Sequence, residues 1–186
     1  ATGAGTVSSA PTVSAAGADI NQCNNGSFTM AANSPSSGTG TWSVVSGSAT
    51  ITSSSSNTSG VTSVSAGASA TLRWTISNGA CTASTDDVVI TNNSLPTVTA
   101  SVSESSGSAS NDGTVCSGDN VTLSGGGATS YTWNNSITNG VAFSPGSTTT
   151  YTVTGTDANG CQNTADQLIT VSTTTATVNA GADIVV

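Results

Sequence analysis

The chain has 186 residues, and small polar or flexible types make up more than half of it: 34 Ser, 34 Thr, 21 Gly and 16 Asn. Arg73 is the one cation against nine carboxylates, the formal net charge is -8, and neither Lys nor His occurs. This charge argues against binding to nucleic acid or anionic membranes, which depends on clustered Lys and Arg. Without Lys or His, the chain has no Ser-His-Asp, Cys-His, Schiff-base or P-loop centre. We therefore predict that it is not an enzyme.

Short alternating runs of apolar and polar residues predict an all-β fold. In chain order, Leu72, Trp74 and Ile76 fall on one face of a strand and Arg73 on the other, and residues 150–154 (TYTVT) repeat the alternation. No run approaches the roughly 20 apolar residues of a membrane span. We predict an ordered, all-β chain.

Two segments near the ends of the chain match one another. Residues 12–20 (TVSAAGADI) return as residues 177–184 (TVNAGADI) with a period of 164 residues, and residues 9–13 (SAPTV) return as residues 94–98 (SLPTV), which divides the period in two. We therefore predict four segments: the tail of a preceding module (1–10), module 1 (11–93), module 2 (94–172), and the first strand of a following module (173–186).

Each predicted module carries two cysteines, and each second cysteine follows an Asn-Gly hairpin turn. We predict the disulfides Cys23–Cys81 and Cys116–Cys161, each worth roughly 4 kcal/mol through loop-closure entropy. Oxidised cysteines imply an extracellular or periplasmic setting. The alternative is a zinc site of four thiolates, which the wide spacings and the lack of a Cys-x-x-Cys pair disfavour.

The aromatic residues between and beside the cysteines predict the two cores. We place Trp42, Trp74, Trp133 and Tyr151 inside the sandwiches, because buried tryptophan between sheets is common in this architecture. The alternative is an exposed tryptophan that stacks on a sugar ring, which makes surface polysaccharide a candidate partner.

The carboxylates are the remaining chemically distinctive group. Asp19 and Asp112 each lie four residues before the first cysteine of their module, and Asp86, Asp87 and Asp166 lie in or before its last strand. They could form an acidic cluster that holds calcium through oxygen ligands. The alternative is that these side chains close turns through their own hydrogen bonds.

Several segments resemble the immunoglobulin-like and PKD-like repeats of very large Bacteroidota surface proteins. They are residues 40–47 (GTWSVVSG), 116–123 (CSGDNVTL), 131–133 (YTW) and 151–161 (YTVTGTDANGC). The gliding-motility adhesins exported by type IX secretion are the best known of these proteins. The resemblance implies an all-β fold of tandem immunoglobulin-like β-sandwich modules arranged as a rod. It also implies surface display, tolerance of calcium and a spacer or adhesive role.

The chain departs from those families at two places. Trp133-Asn134-Asn135 and Trp42-Ser43-Val44 stand where PKD modules carry a Trp-Asp-Phe-Gly-Asp signature. The second cysteine follows the last hairpin turn, whereas an immunoglobulin domain carries it in the strand before that turn. We therefore expect the bridge to tie the first strands of each module to its last strand.

Three functions remain open at the level of sequence. The first is a structural and adhesive segment, a disulfide-stapled spacer rod of a surface adhesin or filament that contacts neighbouring modules of its own polypeptide. The second is a polysaccharide-binding module or an accessory stalk of a secreted hydrolase. The third is a filament subunit, in which residues 177–186 complete the first sheet of the next identical subunit by strand addition.

Overall fold

The computed structural model describes residues 9–106 and 109–173. The chain divides into two units that meet between Leu95 and Pro96, two residues beyond the boundary predicted between residues 93 and 94. The following strand predicted for residues 173–186 lies, from residue 174 onward, outside the described residues, and the strand-addition segment lies there entirely.

Ser9 and Ala10 are bound to module 1. The Asn78 side-chain amide donates to the Ser9 carbonyl at 2.9 Å, and the Ser37 hydroxyl donates to the Ala10 carbonyl at 3.1 Å. Both residues, which the sequence assigns to the tail of a preceding module, thus contact module 1, and residues 1–8 of that predicted tail lie outside the described residues.

Module 1 is built from seven strands in two sheets. One sheet has the order β1-β7-β6-β3 and the other the order β2-β5-β4. The strands are β1 (Ile20–Cys23), β2 (Phe28–Thr29), β3 (Thr39–Ser46), β4 (Thr50–Ile51), β5 (Gly60–Thr62), β6 (Ala68–Ser77) and β7 (Ser84–Asn93).

Module 2 has the same two-sheet architecture, with seven further strands in a different order and one 3-10 turn (Asn134–Ser136). Its sheets have the orders β11-β13-β14-β9 and β12-β10-β8. The strands are β8 (Thr99–Ser103), β9 (Thr114–Cys116), β10 (Val121–Gly126), β11 (Ser130–Trp133), β12 (Ala142–Phe143), β13 (Thr149–Thr156) and β14 (Gln162–Ser172). No helix in the described residues is long and apolar enough to cross a membrane.

The strand order of module 1 is that of an immunoglobulin-like sandwich. In chain order β2, β4 and β5 take the places of strands B, D and E, and β3, β6 and β7 take those of C, F and G. The predicted all-β, immunoglobulin-like fold is confirmed. One feature modifies the plan: the first strand of the module joins the G edge.

This first strand runs parallel to the last strand of its own module. In module 1, Ile20 aligns with Ile90 and Cys23 with Asn93. In module 2 the second strand, β9, aligns with β14 in the same way, with Cys116 opposite Ser172, whereas the first strand, β8, pairs antiparallel with β10. Two strands that run in the same direction finish at the same end of the sheet, so each module has distinct ends for chain entry and chain exit.

The core of module 1 lies between its sheets, against the inward face of β6. Leu72, Trp74 and Ile76 are all fully buried, as the alternation predicts. The Trp74 ring lies 5.1 Å from the Trp42 ring, centroid to centroid, at an interplanar angle of 44°. The two large rings, tilted against each other, pack on the inward face of the paired strands β3 and β6.

Gly40 makes this packing possible. A Cβ atom at position 40 would come within 2.0 to 2.7 Å of the six-membered part of the Trp74 indole, so only glycine leaves room for the ring.

We expect Gly40→Ala to lower the unfolding free energy of module 1 by about 1–3 kcal/mol, because the indole cannot move without opening the core. Urea titration followed by tryptophan fluorescence would measure the loss. Gly146→Ala is the matched control, since a Cβ there meets no atom within 4 Å. Equal stability of the two variants would contradict the packing argument.

Candidate functional site: the two ends of each module

The entry end of each module is marked by the hairpin between its last two strands. In module 1, Asn78 of the β6–β7 turn binds the backbone of Ser9, where the chain comes in. In module 2, the Asn163 side-chain amide donates to the Pro96 carbonyl at 3.0 Å. An asparagine beside the hairpin therefore ties down the incoming chain in both modules, and the hairpin cysteine lies at this end.

The exit end is marked by the first cysteine of each module. Cys23 lies opposite Asn93, and the next amide, that of Asn24, donates to the Asn93 carbonyl at 2.8 Å. In module 2, the Ser117 amide donates to the Ser172 carbonyl at 3.0 Å. The two exit ends thus share one backbone arrangement around their cysteines.

The four cysteines do not have the same bonding. Cys23 and Cys161 are disulfide-bonded, which confirms oxidised cysteines at these two positions. Cys116 is an exposed free thiol. Cys81 is half-buried in the β6–β7 hairpin, where its amide donates to the Asn78 carbonyl at 3.2 Å.

The predicted Cys23–Cys81 disulfide is wrong, because the two residues lie at opposite ends of module 1. Cys23 is beside the last residue of β7, whereas Cys81 precedes its first residue. A strand of 10 residues spans about 30 Å at roughly 3.3 Å per residue. A disulfide requires Cα atoms within about 7 Å.

The same geometry overturns the Cys116–Cys161 pairing. Cys116 aligns with the last residue of β14, and Cys161 directly precedes its first residue, which leaves the 11-residue strand between them. The expectation that a bridge ties the first strands of each module to its last strand is therefore also wrong.

Apolar side chains occupy the place where an immunoglobulin domain has its inter-sheet disulfide. In the F-type strands, Tyr151 precedes Val153 by two residues, and Val153 stands where the second cysteine of such a domain is found. Val153 is fully buried and aligns with Trp133 of the C-type strand; in module 1, Trp74 aligns with Trp42. In both modules, packed apolar side chains thus take the place of the inter-sheet disulfide.

All four predicted core aromatics are buried. The Trp42 indole N–H donates to the Ser56 carbonyl at 3.1 Å, and that of Trp133 donates to the Asn139 side-chain oxygen at 3.0 Å. Burial raises the pKa of the Tyr151 phenol. No tryptophan ring is available for stacking on a sugar, so polysaccharide binding through tryptophan has no support in residues 9–106 and 109–173.

Three of the predicted calcium ligands bind backbone amides instead. Asp19 accepts from the Val89 amide at 2.8 Å, and Asp86 accepts from the Ala16 amide at 2.7 Å. Asp112 accepts at 2.7 Å from the amide two residues further along the chain. These carboxylates hold loops against strands.

The other two predicted ligands lie on strands. Asp87 forms a two-pronged ion pair with Arg73 on the outer face of module 1, at 2.6 and 2.7 Å. Asp166 lies on β14 opposite Thr152. The described residues contain no group of three or more His, Cys, Asp or Glu able to hold a metal.

Sequence reasoning missed two buried polar residues that fix loops. Glu104 is buried and accepts from the amides of Ser106 and Asp112, at 2.8 and 3.0 Å. Buried Asn92 accepts from the Asn25 amide and donates to the Val64 carbonyl. The partners of Asn92 lie 67 and 28 residues away in the chain, so no local pattern in the sequence marks it.

No protein-family model matches this sequence, and comparison with curated proteins finds no match. Among solved structures, the titin domains Z1Z2 in complex with telethonin align over 91% of this chain and 100% of theirs, at 14% identity and a TM-score of 0.40. The insect immune protein hemolin aligns over 91% of this chain and 49% of its own, at 13% identity and a TM-score of 0.45. The tandem Ig repeats of Dlar align over 88% and 98%, at 18% identity and a TM-score of 0.33.

The Arg73–Asp87 pair makes a pH-dependent contribution to stability. The hydrogen bond from Arg73 lowers the pKa of Asp87 below its ordinary value. A carboxyl with a lower pKa in the folded state stabilises above its unfolded pKa, near 4, and loses this effect as pH falls through the folded pKa.

We expect Asp87→Asn to lower Tm slightly at pH 7, because exposed pairs contribute little, and the difference from wild type to vanish near pH 2. Thermal melts across this pH range would measure it, with Arg73→Gln as the partner control. A difference that persists at low pH would show that Asp87 acts through something other than its charge.

The calcium hypothesis remains a prediction with a direct measurement. Since Asp19, Asp86 and Asp112 already bind backbone amides and Asp87 binds Arg73, we expect millimolar calcium and excess chelator to give the same Tm. A rise in Tm with calcium that chelator reverses would contradict this expectation.

Proposed function

We propose that the chain is a structural spacer segment of an extracellular protein, built from immunoglobulin-like modules that separate the parts attached at their ends. The observation that carries this proposal is the parallel pairing, in each module, of the strand that ends in the first cysteine with the last strand. The chain enters at one end of a module and leaves at the other, so every module adds its own length. The last strands alone, of 10 and 11 residues, measure about 33–36 Å.

The chemistry of the chain supports an extracellular setting. Disulfide bonds persist outside the cytoplasm, and Cys23 and Cys161 are disulfide-bonded. From the sequence resemblance alone, we further propose that the spacer belongs to a surface adhesin or filament exported by type IX secretion, among the Bacteroidota proteins that include gliding-motility adhesins.

We propose that the chain has a structural role and no catalytic activity. The chain has no His or Lys. In module 1, Asp19 and Asp86 serve as acceptors for backbone amides, and Asp87 faces Arg73. These side chains are engaged in holding the sandwich together.

Small-angle X-ray scattering of the whole chain tests the spacer proposal. A single compact body of 186 residues has a radius of gyration of about 16 Å. Two modules placed end to end, each about 12 Å in radius of gyration, give about 23 Å. We expect the larger value, unchanged between low and high salt. A value near 16 Å would show two modules folded against each other and would end the spacer proposal.

A further inference from the structure

We propose that Asn159 is a site of spontaneous covalent modification, where the folded chain converts asparagine to aspartate and isoaspartate through a cyclic imide formed with Gly160. The chain has four Asn-Gly pairs, at residues 25–26, 78–79, 139–140 and 159–160. Asparagine followed by glycine is the pair most open to this reaction, because glycine carries no Cβ to hinder its own backbone nitrogen. The modification is a property of the chain beyond the spacer function and does not depend on it.

The reaction needs no cofactor and no reactant other than water. The Gly160 backbone nitrogen attacks the side-chain carbonyl carbon of Asn159, so a bond forms between these two atoms and the side-chain amide leaves as ammonia. Water then adds to one of the two carbonyls of the five-membered imide and breaks its bond to the ring nitrogen. Opening at the side-chain carbonyl gives aspartate, and opening at the backbone carbonyl gives isoaspartate.

In a folded chain, the attack requires an asparagine side chain that can rotate onto the next amide. Asn159 is exposed in the turn between β13 and β14. Its backbone amide donates to the Asp157 side chain at 2.8 Å, but its side chain has no hydrogen bond within the described residues. A Cβ added at Gly160 would meet no atom within 4 Å. The side chain of Asn159 and the amide that it must reach therefore both lie in open space.

Asn78 occupies the equivalent hairpin position in module 1, and its side chain is held. Its side-chain amide donates to the Ser9 carbonyl at 2.9 Å, to the Ser9 hydroxyl at 3.2 Å and to the Ser37 hydroxyl at 3.0 Å. In module 2 the incoming chain is bound by Asn163 instead. Asn159 is therefore free of the contacts that fix Asn78.

The other two Asn-Gly pairs are restrained as well. The Asn139 side-chain oxygen accepts from the Gly125 amide at 2.7 Å. The Asn25 side-chain oxygen accepts from the Ser27 amide at 3.1 Å. Rotation of either side chain onto the next amide would break these bonds, so the fold favours reaction at Asn159.

The attacking nitrogen must also leave its place in the turn. The Gly160 amide donates to the Asp157 carbonyl at 3.2 Å, at the long end of the range for such bonds. An exposed turn closed by one long bond opens locally at a much lower free-energy cost than unfolding of the module. Local opening of the hairpin is therefore enough for the reaction.

The products change the hairpin that precedes β14. Isoaspartate adds a methylene to the main chain between Asn159 and Gly160, and either product places a new carboxylate near Asp157. The Asp157 amide donates to the Cys161 carbonyl across this turn at 3.0 Å. The modification thus alters the turn beside a disulfide-bonded cysteine.

The test incubates the whole folded chain in mildly alkaline buffer made with H₂¹⁸O and maps its peptides by mass spectrometry after acidic digestion. Ring opening places one ¹⁸O atom in each converted residue, so all four pairs are followed in one sample. We expect conversion at Asn159 to be at least about tenfold faster than at Asn78, whose rotation breaks three hydrogen bonds. An isoaspartyl methyltransferase should label the Asn159 peptide.

The same incubation in concentrated urea is the first control, because all four pairs should convert at similar rates once the fold no longer holds them. Asn159→Gln should abolish labelling of its peptide, since glutamine must close a six-membered ring and reacts far more slowly. Ser37→Ala is the matched variant, because it removes one bond that holds Asn78. It should raise the rate at Asn78 and leave the rate at Asn159 unchanged.

Two outcomes would overturn the proposal. One is conversion of all four pairs at similar rates in the folded chain. The other is an Asn159 that stays unmodified over the time in which the chain in urea is converted. Neither outcome bears on the spacer proposal, which the radius of gyration tests separately.

Discussion

In each module the strand that ends in the first cysteine pairs in parallel with the last strand, and this pairing determines where the chemically distinctive residues lie. Parallel strands finish at the same end of a sheet, so Cys23 and Cys116 are held at the exit ends, beside Asn93 and Ser172. The hairpin cysteines are held at the entry ends for the same reason. A pairing within one module would have to cross the full length of the last strand. The position of each cysteine thus prevents a disulfide between the two cysteines of one module.

The sandwich interiors are consequently stabilised without an inter-sheet disulfide. Trp42 and Trp74 fill the middle of module 1, where they pack ring against ring. Module 2 places Val153 against Trp133 at the equivalent position. Burial of a large side chain contributes about 1.5–3 kcal/mol, so the tryptophans take over part of the role of a bridge. The cysteines lie at the ends of the modules, away from the cores.

Much of the fold could be predicted from the sequence, because alternation reports which face of a strand is buried. The parity of Leu72, Trp74 and Ile76 is correct, and the strand at residues 150–154 is part of β13. Alternation does not report which strand lies beside which. The run Val88-Val89-Ile90 is apolar on both faces, and its inward side is settled only by pairing, where Val88 lies opposite Leu72.

Because alternation does not report which segments are neighbours, the sequence could not predict the disulfide bonding or the roles of the carboxylates. Disulfide connectivity cannot be deduced from cysteine spacing alone, and here it depends on the direction of β1 relative to β7. The roles of Asp19 and Asp86 were also hidden, because each binds an amide about 70 residues away in the chain. Tertiary contacts of this kind leave no local signature.

The Arg73–Asp87 pair has a consequence for the durability of the chain outside a cell. Proteases that cleave after lysine or arginine find only one such residue in all 186. That residue lies in the interior of β6, a strand with neighbours on both sides, and its guanidinium is clamped by Asp87. A protease needs an extended stretch of backbone in its cleft, so cutting at Arg73 requires module 1 to open first. The rate at which trypsin cleaves after Arg73 would therefore report the unfolding of module 1.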